Sequence, residues 1–143
     1  MVSVAEAAVS MIGTPFCHQG RSPGRRLDCI GLLVCAHRAA GFVVQDDKTY
    51  GKHPNPHYLL KKVTEVADEI KFEDVQPGDF CLSWMNQNMR SKLPHHCAIF
   101  APAPKPYSGL WIVHALQDAG RVVINPFAGL WPELTHSFWR WRR

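Results

Sequence analysis

The stretch Leu27-Asp28-Cys29-Ile30-Gly31-Leu32-Leu33-Val34-Cys35-Ala36-His37-Arg38-Ala39-Ala40-Gly41 decides the fold. Asp28 is suited to cap a helix, Cys29 to Ala40 is apolar nearly all round, and Gly41 supplies a C-terminal stop. A helix without a polar face is buried on every side. This segment is therefore read as a central helix, with the rest of the chain wrapped around it.

Upstream, Ser3 and Glu6 form a capping box, and Val4, Ala7, Ala8, Met11 and Ile12 give a helical apolar stripe that Gly13-Thr14-Pro15 ends. Residues 17 to 27, with Gly20, Pro23, Gly24 and three arginines, read as a loop outside the core. Downstream, Val43 to Asn55 is polar and loop-like. His57 to Val66 reads as an amphipathic helix with Tyr58, Leu59, Leu60 and Val63 inward. The period then changes, and Asp79 to Met85, His95 to Ala101, Leu110 to Leu116 and Arg121 to Asn125 read as short strands. Helices first and strands second predict an α+β domain, with N-terminal helices packed on one face of a small antiparallel sheet.

The 143 residues suffice for one core, so a single domain over 1–143 is expected. With 46% hydrophobic and 20% charged residues the chain is globular in composition, and no apolar run is long enough for a membrane span. The net charge of +4 is a mild bias. A nucleic-acid partner is not expected, because the only basic stretch with interleaved aromatics is Trp139-Arg140-Trp141-Arg142-Arg143. That tail reads first as a final strand or docking segment whose tryptophans pack and whose arginines stay wet.

Five cysteines, Cys17, Cys29, Cys35, Cys81 and Cys97, form an odd set. Met1 to Ile12 carries no Lys or Arg and contains Glu6, so no secretory signal and no disulfide framework are expected. Cys29 is the one cysteine placed for reactivity, since unpaired N–H groups and the dipole at a helix start stabilise a thiolate. A buried structural cysteine at a helix start is the alternative. A thiolate nucleophile needs a histidine base steadied by another polar group. In His95-His96-Cys97-Ala98-Ile99-Phe100, alternation puts His95 and Cys97 on one face and His96 on the other. A symmetric hairpin of 96–101 with 109–114 would pair His96 directly with His114, although His114 could equally be a strand filler. Zinc binding by Cys17, His18, Cys29, His95, His96 and Cys97 is disfavoured: the set has no C-x2-C or H-x3-H pair, so no metal or other cofactor is expected.

Taken together, Gly13-Thr14-Pro15-Phe16-Cys17-His18-Gln19-Gly20, Pro23-Gly24, Leu27-Asp28-Cys29-Ile30-Gly31-Leu32, Gln76-Pro77-Gly78-Asp79, His96-Cys97-Ala98-Ile99 and Val113-His114-Ala115 resemble the NlpC-type cell-wall cysteine peptidases. Order and spacing match from about residue 5 to about residue 125. The resemblance implies a compact papain-like fold with Cys29 as nucleophile, His96 as general base and acid, and His114 as its orienter. It also implies that Asp28 caps the helix and that Pro77-Gly78-Asp79 launches the first sheet strand. Phe16 stands where the family usually has Tyr, removing a hydroxyl that would help bind the oxyanion. The Cys29 N–H, with His18 or Gln19 as the nearest loop donors, is expected to serve instead.

The function implied is a peptidoglycan hydrolase that cuts a stem-peptide amide bond, the D-glutamyl to diamino-acid link in particular. The Gly-Thr-Pro-Phe-x-His-Gln-Gly entry looks like the branch found in phages and prophages. With no export signal before a substrate outside the membrane, the expectation is a virion-tail protein made in the bacterial cytoplasm, or a cytoplasmic prophage product. Its partners would be the stem peptide and a tail hub or distal-tail protein, with Trp131, Trp139 and Trp141 as anchors. The rival reading is a structural tail-tip component without activity.

Overall fold

The computed structural model describes residues 2–51 and 56–143. Helix α1 (Val4–Ser10) begins at the expected capping box: the Ser3 N–H donates to Glu6 Oε1 at 3.0 Å, and the Glu6 N–H donates to Ser3 Oγ at 3.1 Å. The predicted loop contains a short hairpin, β1 (Arg21–Ser22) and β2 (Arg26–Leu27), with Leu27 fully buried. Helix α2 (Cys29–Ala39) is the central helix, followed by Gly41 at φ 90°. Residues 42–51 form an irregular loop, and the rest of the expected 43–55 loop, residues 52–55, lies outside the described residues.

Helix α3 (Pro56–Val66) runs into β3 (Ala67–Ile70), and a 3-10 turn over Phe72–Asp74 leads to β4 (Phe80–Ser83). There follow β5 (His96–Pro102), β6 (Leu110–Leu116), β7 (Arg121–Pro126), the one-turn α4 (Leu130–Glu133) and β8 (Thr135–Trp141). The main sheet has the order β3-β8-β4-β5-β6-β7 and every pair in it is antiparallel. The α+β expectation holds.

One face of this sheet carries the helices. Cys97, Ile99, Ala101, Val113, Ala115 and Val122 pack against Ala8, Leu32, Leu33 and Ala36 of α1 and α2. Burying this apolar surface is the main source of stability, at roughly 25 cal/mol per Å². On the opposite face, Cys81, Ala98, Phe100 and Ile112 gather Phe127, Phe138 and Trp131 into a second cluster.

Two expectations need correction, the missing edge strand and the tryptophan anchors, while the final strand read at the C-terminus is present. Strand β3 was not foreseen, because Ala-Asp-Glu-Ile carries little strand signal; it lies at the sheet edge, where charged residues discourage further pairing. The C-terminal segment is an interior strand, paired with β3 on one side and β4 on the other. Consequently the tryptophans are not free anchors: Trp139 is 4% exposed, Trp141 stacks on His37 at 4.4 Å between centroids, and Trp131 lies edge-on to His114 at 4.7 Å. The arginines do stay near water. Arg140 grips Asp79 through two 2.8 Å contacts, and Arg142 donates to Asp68 Oδ1 at 2.8 Å and to the Ala67 carbonyl at 2.9 Å.

Candidate active site

Cys29 begins α2 and His96 begins β5, so the site forms where two elements start side by side. The start of α2 is held by Asp28, which is 4% exposed. Its carboxylate accepts from Gly31 N at 2.7 Å, Gln19 N at 2.8 Å, Tyr50 Oη at 2.6 Å and Arg21 at 3.1 Å. Glycines make this approach possible, since a Cβ at Gly31 would overlap the carbonyl oxygen of Gly20. The nucleophile candidate therefore rests on a rigid, fully hydrogen-bonded base.

The Cys29 side chain is half-buried with the Cys97 and His96 side chains in hydrogen-bonding reach. Its pKa lies well below the ordinary thiol value, chiefly because the Cys97 thiol hydrogen-bonds to it and then because of His96, against the opposing effects of burial and Asp28. Cys97 moves the other way, held protonated by its bond to the Cys29 sulfur and by burial. Its Sγ also lies 3.2 Å from the Cys29 carbonyl oxygen. The remaining thiols differ: burial pushes Cys81 up to about 12 and raises Cys35, while Cys17 is exposed.

Behind Cys29 runs a file of three polar side chains. His96 Nε2 is 3.0 Å from His114 Nδ1, and His114 Nε2 is 2.7 Å from Asn125 Oδ1. The β5–β6 register pairs Ile99 with Val113, which continues to Ala98 opposite His114. The expected direct pairing of His96 with His114 is thus wrong by two residues. An even offset keeps both rings on one face, and the imidazoles meet diagonally. His114 is wholly buried, and burial, helped by the His96 charge, drives its pKa down to about 3.

Asn125 was read only as the end of a strand. The β6–β7 register puts Val123 opposite His114, so Asn125, two residues on, shares that face. His95, adjacent to the file, has an Nδ1 that is buried without a hydrogen-bond partner, and its pKa is lowered by burial and by His96.

The loop residues are placed differently from one another. Gln19, at φ 62°, directs its Nε2 to the carbonyls of Lys48 at 2.6 Å and Tyr50 at 2.7 Å, so its side-chain amide ties down the 42–51 loop. His18 packs edge-on against Tyr50 at 5.5 Å. Phe16 is half-buried against the main core. At the head of α2 the first N–H groups have no intrahelical acceptor, which leaves the Cys29 N–H as the built-in donor toward a developing oxyanion. Among the described residues, no group of three or more His, Cys, Asp or Glu is arranged to hold a metal ion.

A thiol heading a helix against a sheet that carries its imidazole sits here in an α+β fold that solved NlpC/P60-family structures share. The chain is similar in structure to an NLP/P60-family protein, described as similar to a lipoprotein, from Staphylococcus aureus, with a TM-score of 0.68 at 18% identity over 98% of this chain and 40% of that one. It is also similar to NlpC1 from Trichomonas vaginalis (TM-score 0.66, 17% identity, 96% of this chain and 43% of that one). The NlpC/p60 domain of the peptidoglycan hydrolase SagA superposes at a TM-score of 0.60 with 17% identity, over 95% of this chain and 94% of that domain. The chain thus spans less than half the length of the first two and nearly all of the third. The sequence matches no family model and no curated protein. At these identities the likeness is one of fold.

Proposed function

We propose that this domain is a cysteine peptidase that hydrolyses a stem-peptide amide bond of peptidoglycan. The observation that carries the reading is the Cys29 thiol beside His96 at the joint start of α2 and β5, with His114 behind it. The fold shared with the domain of a peptidoglycan hydrolase supports the substrate class.

In this reading the Cys29 thiolate attacks the amide carbonyl carbon, a C–S bond forms, and the carbonyl electron pair moves onto oxygen toward the Cys29 N–H. Collapse of the tetrahedral species breaks the C–N bond, and the departing amine takes a proton from His96. Water then attacks the thioester, His96 takes its proton, and the carboxylate product leaves with Cys29 restored as a thiolate. His114 steadies the ring that makes both transfers. The bond between D-glutamate and the diamino acid is the proposed target, on the strength of the sequence resemblance.

Carriage by a phage-type tail is a further part of the proposal. It rests on the Gly13 to Gly20 entry sequence, and the C-terminal tryptophans and arginines lend it nothing, because they are engaged within the sheet. Mass spectrometry of muropeptides incubated with the protein tests the reading. New fragments separated by one water, absent with Cys29→Ala, are the expected result. Intact muropeptides with the unaltered protein would leave a structural tail component as the better account.

A further inference from the structure

The file behind Cys29 has a direction, and Asn125 sets it. Asn125 turns its Oδ1, and not its amide nitrogen, to His114 Nε2 at 2.7 Å, so in this arrangement that nitrogen carries hydrogen. His114 is wholly buried and neutral, so its single ring proton resides there and Nδ1 is a bare acceptor. His96 must then donate from Nε2 across the 3.0 Å contact, which leaves His96 Nδ1 as the nitrogen that exchanges a proton with Cys29. Reversing the wire would place a proton on His114 Nδ1. A doubly protonated His96 would then face another donor, and the thiolate–imidazolium pair would be lost.

We propose that Asn125 is a positioning residue that locks the tautomers of His114 and His96, and thereby holds Cys29 as a thiolate ready for attack. This deepens the peptidase reading, and it rests on that reading only for the use to which the thiolate is put. Trp131, edge-on to His114 and near His96, covers the file and keeps water from competing for its hydrogen bonds. A neutral partner is required at this end. Aspartate in place of Asn125 would favour a charged His114, whose Nδ1 could no longer accept from His96 and whose charge would repel the imidazolium. The other groups that bear on the pair are Asp28 at the helix start, Cys97 beside the sulfur, and His95 with Lys92 behind it. None of these contacts Asn125 in the file.

The test uses the pH dependence of Cys29 alkylation by iodoacetamide in the full chain, followed by peptide mass spectrometry, which needs no peptidoglycan substrate. In Asn125→Leu the midpoint is expected to rise by about one unit, so that alkylation at a pH below the unaltered protein's midpoint slows on the order of tenfold. Asn125→Asp, close to isosteric, should also shift the midpoint upward, and by nearly equal amounts at low and high salt because the file is buried. If Asn125→Leu fails to fold, Asn125→Asp decides alone. Profiles that superpose on that of the unaltered protein would overturn the proposal, even if muropeptides are cleaved. Shifted profiles without muropeptide cleavage would uphold the wire and sink the peptidase reading instead.

Discussion

In β5, β6 and β7 two imidazoles and an amide hydrogen-bond in a file, whereas beside β3 and β4 the ion pairs tie β8 to its neighbours through arginine. His96, His114 and Asn125 form the first set. Arg140 with Asp79, and Arg142 with Asp68, form the second. The difference follows from what each half must do. The file transmits orientation only if each ring nitrogen along it has one defined role as donor or acceptor. Arg142 and Asp68 stay hydrated and contribute little to stability, whereas Asp79 is buried and its carboxylate is satisfied by Arg140, and Trp139 contributes through packing.

The comparison breaks most plainly if activity and stability fail to separate. Cys29→Ala should abolish muropeptide cleavage while keeping the melting temperature within about 2 °C, measured by calorimetry. Removal of residues 139–143 should do the reverse at the level of folding, erasing the cooperative transition because it strips Trp139 and Trp141 from the strand between β3 and β4. Trp139→Ala isolates the packing part. A loss of roughly 3–5 kcal/mol by urea titration is expected for a side chain this buried.

Acid titration sharpens the comparison, because each half buries one neutral histidine. His114 lies in the file, and His37 lies under the other half among Phe42, Phe80 and Trp141, where burial lowers its pKa to about 4. Both folded pKa values lie below the unfolded value near 6.5, so the unfolded chain binds more protons between the two. Stability is therefore fully present above about pH 6.5 and is lost as pH falls toward about 4 for His37 and about 3 for His114. His37→Phe should flatten the fall in melting temperature over that window by about 3 kcal/mol of pH-dependent stability. An unchanged slope would show that His37 is not held neutral. The smallest effect belongs to the rim: Arg142→Ala should cost under about 1 kcal/mol, and less in high salt.

Local signals were legible where one stretch of chain determines the outcome. Ser3 with Glu6 started α1 as read, and Asp28 to Gly41 framed α2, because caps and helical periodicity depend on neighbours within a turn. His96 and His114 came together despite a register error, since only the parity of the strand positions governs their shared face. Asn125 was missed because its role depends on the β6–β7 alignment, which no short stretch encodes. Gln19 shows the opposite failure. Its position in the loop suggested a donor near Cys29, yet its amide is claimed by Lys48 and Tyr50, about thirty residues further along the chain. Strand β3 was invisible for a further reason: a charged edge strand is stabilised by the strand it joins, and its own residues carry little preference.

The interior position of β8 constrains how the protein comes to be made. Strands β3 and β4 are synthesised well before residue 135, yet they join the sheet on either side of β8, so neither can take its final neighbour until β8 arrives. Until then the backbone edges that β8 will pair with have no partner from it. The sheet closes only once Trp141 has cleared the ribosome exit tunnel.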